Sequence, residues 1–170
     1  MGIRIIGAIL IIGTCSALGF KMSANYKLQE RQMEQLVEAL LYISCEMSYR
    51  LTPLAQQFSG CCAITTGAVK TFFYQASREL SNQISPNASC CIQAALDKTS
   101  GLTPAAIKTI KQIGNTLGEF DLDGQLKALE ETLILCRNTL SHLKAEQAVH
   151  TRNYQTLGIC AGAALAILFI

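Results

Sequence analysis

A chain of 170 residues that is 50% hydrophobic and only 15% charged is apolar for a globular protein, and its net charge of +2 leaves no basic surplus. Arg4 is one of fourteen Lys and Arg; the thirteen from Lys21 onward face twelve Asp and Glu, so the clustered basic charge of a nucleic-acid face is missing. Trp is absent and aromatics make up 6%, which leaves little for a base-stacking platform.

The apolar excess sits at the two ends. Residues 5–20 carry no charge and, as a helix, would rise about 24 Å. A bilayer core is about 30 Å thick, so this is a short span, helped by a snorkelling Arg4 or local thinning. Gly13 and Ala17 place small residues one helical turn apart, the ridge that lets membrane helices approach closely. Two rival readings exist. Arg4, a short apolar core and Ala17-Leu18-Gly19 resemble a cleaved secretory signal. Ile12-Gly13-Thr14 before Cys15 resembles a lipoprotein signal. Against both stand Lys21, Lys27 and Arg31, which by the positive-inside rule stay in the cytoplasm. Myristoylation is excluded, because Ile6 stands where Ser or Thr is required.

From residue 23 to 50 there is no Gly or Pro. Met33, Leu36, Val37, Leu40, Ile43, Ser44 and Met47 recur at threes and fours, and Glu30, Arg31, Glu34 and Glu38 fall largely opposite. This predicts one amphipathic helix running straight out of the first span. Thr52-Pro53 predicts a helix start, with Thr as N-cap and Pro at the first helical position. That helix is expected to end at Gly60. Thr66 or Gly67 opens the next, through Phe72, Phe73 and Leu80. Residues 81–87, with Pro86, read as a loop. A short helix is expected over 89–98, closed by Ser100-Gly101. Thr103-Pro104 repeats the start signal, and its helix is expected to end at Leu117-Gly118.

Asp121 is expected to cap a last helix, and Asp123 suits its dipole. Leu126, Leu129, Leu133, Cys136, Leu140, Leu143 and Gln147 mark its buried face. No Gly or Pro interrupts 125–155, so it should continue into the second apolar run, residues 156–170. Lys144 and Arg152 guard that run on the cytoplasmic side, and Tyr154 stands where an aromatic anchor lies. Gly158, Gly162 and Ala166 form a second small-residue ridge. The spans pack on each other or on a second copy, so a homo-oligomer is open.

These elements predict an all-α protein: a helical bundle built on two long antiparallel helices that continue into N- and C-terminal transmembrane segments. The expected division is 1–20 for the first span, 21–155 for a cytoplasmic helical domain and 156–170 for the second span.

Chemistry is hard to find. There is no phosphate loop and no HExxH. His142, Glu146 and His150 share a helix face, but one straight helix cannot wrap a metal ion. The eight cysteines include two adjacent pairs, Cys61-Cys62 and Cys90-Cys91, which lack chelating or redox spacing. Cys45 and Cys136 fall in helical patterns and read as reduced core residues. No catalytic residue, cofactor or metal is expected. The alternative is an exported thiol or disulfide protein with a cleaved signal.

A collinear set of residues carries a resemblance. It comprises Gly19-Phe20; Arg31, Gln35, Leu40 and Leu41; Glu46, Met47, Tyr49 and Thr52-Pro53-Leu54; the stretch GNTLGEFDLDGQ with Gly114, Leu117, Gly118, Asp121 and Gln125; and Tyr154, Leu157-Gly158 and Gly162. On these the chain resembles the stage III sporulation protein AB family of endospore-forming bacteria. Residues 63–98 depart most from the pattern. The resemblance implies an all-helical membrane protein on the mother-cell side of the forespore membrane, part of the channel apparatus joining mother cell and forespore. It implies a cytoplasmic domain similar to that of type II secretion and type IV pilus platform proteins, which dock an ATPase. The ATPase of the same operon and other channel subunits are the partners it implies. The Gly114–Gln125 stretch then reads as a structural joint or a docking surface.

Overall fold

In the computed structural model the backbone is described over residues 2–50, 52–82, 87–117 and 122–169, and side chains over 24–50, 52–82, 87–115, 117 and 123–146. The described residues are all-helical. The helices are α1 (Gly2–Tyr49), α2 (Leu54–Ile64), α3 (Gly67–Asn82), α4 (Ala88–Asp97), α5 (Pro104–Thr116) and α6 (Leu122–Phe169). The chain divides into two compact units. One comprises residues 1–30 and 141–170 and is helical over 2–30 and 141–169. The other, residues 31–140, holds the described core.

That core is built as the periodicity predicts. α1 contributes Met33, Leu36, Leu40 and Ile43, none more than 1% exposed. Phe58, Phe72, Phe73, Ile92, Ile110 and Leu129 close over them from the other helices. The rings interlock edge to face, Phe58 on Phe73 at 5.4 Å and Phe72 on Phe73 at 5.2 Å. This geometry sets the positive ring edge against the negative face.

Side-chain contacts fix the helix directions. α2 descends along α1: Thr52 bonds Glu46, Cys61 approaches Ala39, and Thr66 bonds Gln35. α5 runs back along α4, with Ser89 near Asn115 and Ile92 against Gly114. The α2–α3 and α4–α5 turns therefore lie together beside residues 32–35 of α1. Gly67 and Gly101 make those turns with φ of 60° and 85°, a region that favours glycine.

Three expectations need correction. α2 starts at Leu54, with Pro53 in the cap position and no side-chain cap. Thr52 spends its hydroxyl on Glu46 instead, at 3.1 Å, and Glu46 also holds Arg50. Gly60 does not end α2, which runs on to Ile64. Gly60 is needed for space: a β-carbon there would come within 2.7 Å of the Tyr42 ring. Cys45 is exposed, because its position on α1 turns away from the core.

Among the described residues no helix is long and apolar enough to cross a membrane. The apolar runs 5–20 and 156–170, with Gly13, Ala17, Gly158, Gly162 and Ala166, lie outside the residues whose side chains are described. Their backbone is helical through residue 169.

Candidate functional site: the joint between α5 and α6

The GNTLGEFDLDGQ stretch spans the end of α5 and the start of α6. Gly114 is buried where α5 crosses α4; a β-carbon there would meet Ile92 Cγ2 at 3.0 Å. Glycine is thus the residue that lets the two helices approach. Leu117 is 1% exposed and ends α5 in extended backbone, its N–H donating to the Ile113 carbonyl at 3.0 Å. Gly118 and Asp121 lie outside the described residues. α6 begins at Leu122, one residue after Asp121. Gln125 is half-buried in its first turn, and Asp123 is exposed there, where a carboxylate favours the positive end of the helix dipole. Gly114 and Leu117 are therefore packing residues, whereas Asn115 and Asp123 are exposed and Gln125 is half-buried.

A small recess of about 110 Å³ opens beside Gly114, lined by Ser89, Ile92, Gln93, Leu96, Lys111 and Asn115. Gln93 already bonds Asp97 at 2.9 Å and Ser89 bonds Asn115 at 3.4 Å. These internal contacts occupy Gln93, Ser89 and Asn115 on its rim, while Lys111 is exposed.

The described cysteines offer no reactive pair. All six are free thiols, and within each adjacent pair one member is buried and the other is not. Burial pushes Cys61 up to about 12 and Cys136 up to about 11. Thiols that ionise so late are poor nucleophiles. No group of three metal-ligating side chains occurs among the described residues.

The periodicity missed one organising residue. Gln32 is 4% exposed on the core side of α1. Its Nε2 donates to the Gly101 carbonyl at 2.8 Å, and its Oε1 accepts from the Thr103 N–H at 2.8 Å. One turn later, Gln35 makes the same two-way bond to Thr66, through the hydroxyl at 2.8 Å and the N–H at 3.0 Å. The two amides clamp both glycine turns to α1. Thr103 sits at the cap position of α5 as expected, but its hydroxyl makes no cap bond and is buried without a partner. The backbone N–H of that residue, held by Gln32, fixes the start of α5 instead. A glutamine next to an apolar stripe is the only trace of this in the sequence.

Comparison with known proteins gives a single answer. A family model, stage III sporulation protein AB, matches residues 4–170. Stage III sporulation protein AB of Bacillus subtilis (strain 168) is 28% identical over 171 residues, covering 99% of each chain. A solved structure of a stage III sporulation protein AB aligns with a TM-score of 0.59 and 27% identity, covering 75% of this chain and 97% of that one. These names refer to a stage of sporulation and not to a reaction.

Proposed function

Because the chain belongs to the stage III sporulation protein AB family, and so has a role in sporulation, we propose that it is a non-enzymatic, membrane-anchored assembly component of the mother cell–forespore channel. In this reading the apolar ends hold the chain in the mother-cell side of the forespore membrane. The helical domain stands in the cytoplasm and docks the ATPase of the same operon. The observation that carries the reading is the family match itself, which runs through both apolar ends and the domain between them. Two features support it. α1 and α6 are unbroken helices of 48 residues, each joining an apolar run to the helical domain. The described site chemistry is packing and turn-clamping, which suits a scaffold. The exported-thiol alternative draws no support from thiols that burial holds protonated.

Co-purification of the operon's ATPase with the full chain from solubilised membranes tests the docking. The wild-type chain is expected to retain the ATPase. Asp121→Ala is expected to lower stability by about 1 kcal/mol, the value of a helix cap, and still to retain it, since Gly114 and Leu117 at the end of α5 serve the core. Normal stability with loss of the ATPase would instead make this joint the docking surface. A wild-type chain that captures no ATPase would contradict the docking reading.

A further inference from the structure

The near-neutral balance of the whole chain conceals a local excess. Residues 51–117, which supply α2 to α5, carry five Lys and Arg against two carboxylates, Glu79 and Asp97. Glu79 is turned inward, 8% exposed, and accepts from Lys98 Nζ at 2.6 Å. Asp97 is exposed but sits on α4, where Gln93 bonds it. Glu79 is the one carboxylate of α3, so the solvent face of that helix has none.

Three residues order that face. Lys70, Tyr74 and Arg78 recur every four residues, each about 40° around the helix from the last, and all three are exposed. Tyr74 stands between the two cations. Arg78 Cζ lies 5.9 Å from its ring centroid, within the range of a cation–π contact. The stack holds the guanidinium without using its N–H groups, which no ion pair or hydrogen bond among the described residues engages. A planar fork held in this way fits the two oxygens of a carboxylate. Little side-chain freedom is left to lose on binding. Lys70 sets a second positive charge about 12 Å along the same face. An exposed Tyr paired with an Arg is also the composition of an interface hot spot. The stripe suits a protein surface better than a bilayer. A helix lying in a membrane interface needs an apolar face to bury there, and Val69, Phe72, Phe73 and Ala76 of α3 are already buried in the core.

We propose that the Lys70–Tyr74–Arg78 face of α3 is a docking surface for an acidic protein partner, a carboxylate of which seats in the Arg78 fork. The partner's identity rests on the platform reading, in which the acidic surface belongs to the ATPase.

The test is the affinity of the purified ATPase for the full chain in neutral detergent, across a salt series. Wild-type binding is expected to weaken as salt rises, because screening acts on exposed charge. Arg78→Glu sets like charges face to face and is expected to weaken binding at least about tenfold. Tyr74→Ala removes the ring beneath the guanidinium and is expected to cost about tenfold. Arg78→Lys keeps the charge but loses the fork, and is expected to fall between wild type and Arg78→Glu. Arg137→Glu, an exposed reversal on α6, is expected to bind as wild type does. Urea unfolding of each variant reports that the fold is kept, as expected for exposed positions. A wild-type chain that binds while Arg78→Glu and Tyr74→Ala bind equally well would overturn the proposal and leave the docking reading standing. Equal weakening by Arg137→Glu would reduce the effect to net charge and overturn it too. So would weakening that appears only when phosphatidylglycerol is added to the detergent, which would make the stripe a lipid contact. A wild-type chain that binds no ATPase would overturn both readings together.

Discussion

Gln32→Leu is expected to destabilise the helical domain by about 2–4 kcal/mol, although the substitution keeps volume and adds apolar surface. The reason lies in what the side chain leaves behind. The Thr103 N–H is buried and has Gln32 Oε1 as its partner at 2.8 Å. The Gly101 carbonyl, less enclosed, receives Gln32 Nε2. A buried donor stripped of its acceptor costs its full desolvation, about 1–3 kcal/mol. Gln35→Leu is the control. It breaks a bond pair of the same geometry at the Thr66 turn, but those groups are open to solvent, and water replaces the amide. Its expected cost is under about 1 kcal/mol. Urea unfolding of the two variants side by side separates them. Equal losses would mean that the amides act through packing and not through burial of the backbone groups they hold.

Phe73→Ala is expected to cost about 3–5 kcal/mol, the range for deleting a buried aromatic ring. Phe73 is 2% exposed and is the shared partner of both edge-to-face contacts. Truncation removes its own burial, breaks two ring pairs and opens a cavity between α2 and α3. Its neighbour Tyr74 is 53% exposed, and Tyr74→Ala should fall within about 0.5 kcal/mol, as surface substitutions do. The same unfolding measurement checks both. A small effect at Phe73 would mean that α2 and α3 collapse onto the gap, and that the ring cluster is not the centre of the core.

The contrast between these residues shows what the sequence makes legible. Phe72, Phe73, Leu36, Leu40, Ile43 and Leu129 are apolar at helical spacing, and the burial they predict is the burial observed. Thr103-Pro104 and the glycines at 67 and 101 mark turns through local backbone chemistry, which the chain carries in its own residues. Gln32 was illegible because its role depends on one turn some seventy residues downstream coming to rest beside it. Gly60 was misread for the same kind of reason. Its local signal is a helix end, but the Tyr42 ring on α1 requires the missing side chain. Thr52 was misassigned because its hydroxyl had a choice, and Glu46 on the preceding helix offered a charged acceptor. The candidate motif divides likewise: Gly114 and Leu117 were legible as special positions, but whether they serve surface or core was set by tertiary packing, for Gly114 that of Ile92 on α4.

In the proposed reading the apolar ends anchor a domain that stands in the cytoplasm. Thiol topology tests it most directly. Cys45 and Cys90 are exposed, while Cys61, Cys91 and Cys136 are buried. In cells expressing the full chain, a membrane-impermeant maleimide should leave all of these unlabelled until the membrane is permeabilised. It should then modify Cys45 and Cys90, with Cys61, Cys91 and Cys136 silent until denaturation. Labelling of Cys45 and Cys90 in intact cells would put the domain outside, beyond the reach of a cytoplasmic ATPase, and would contradict the account.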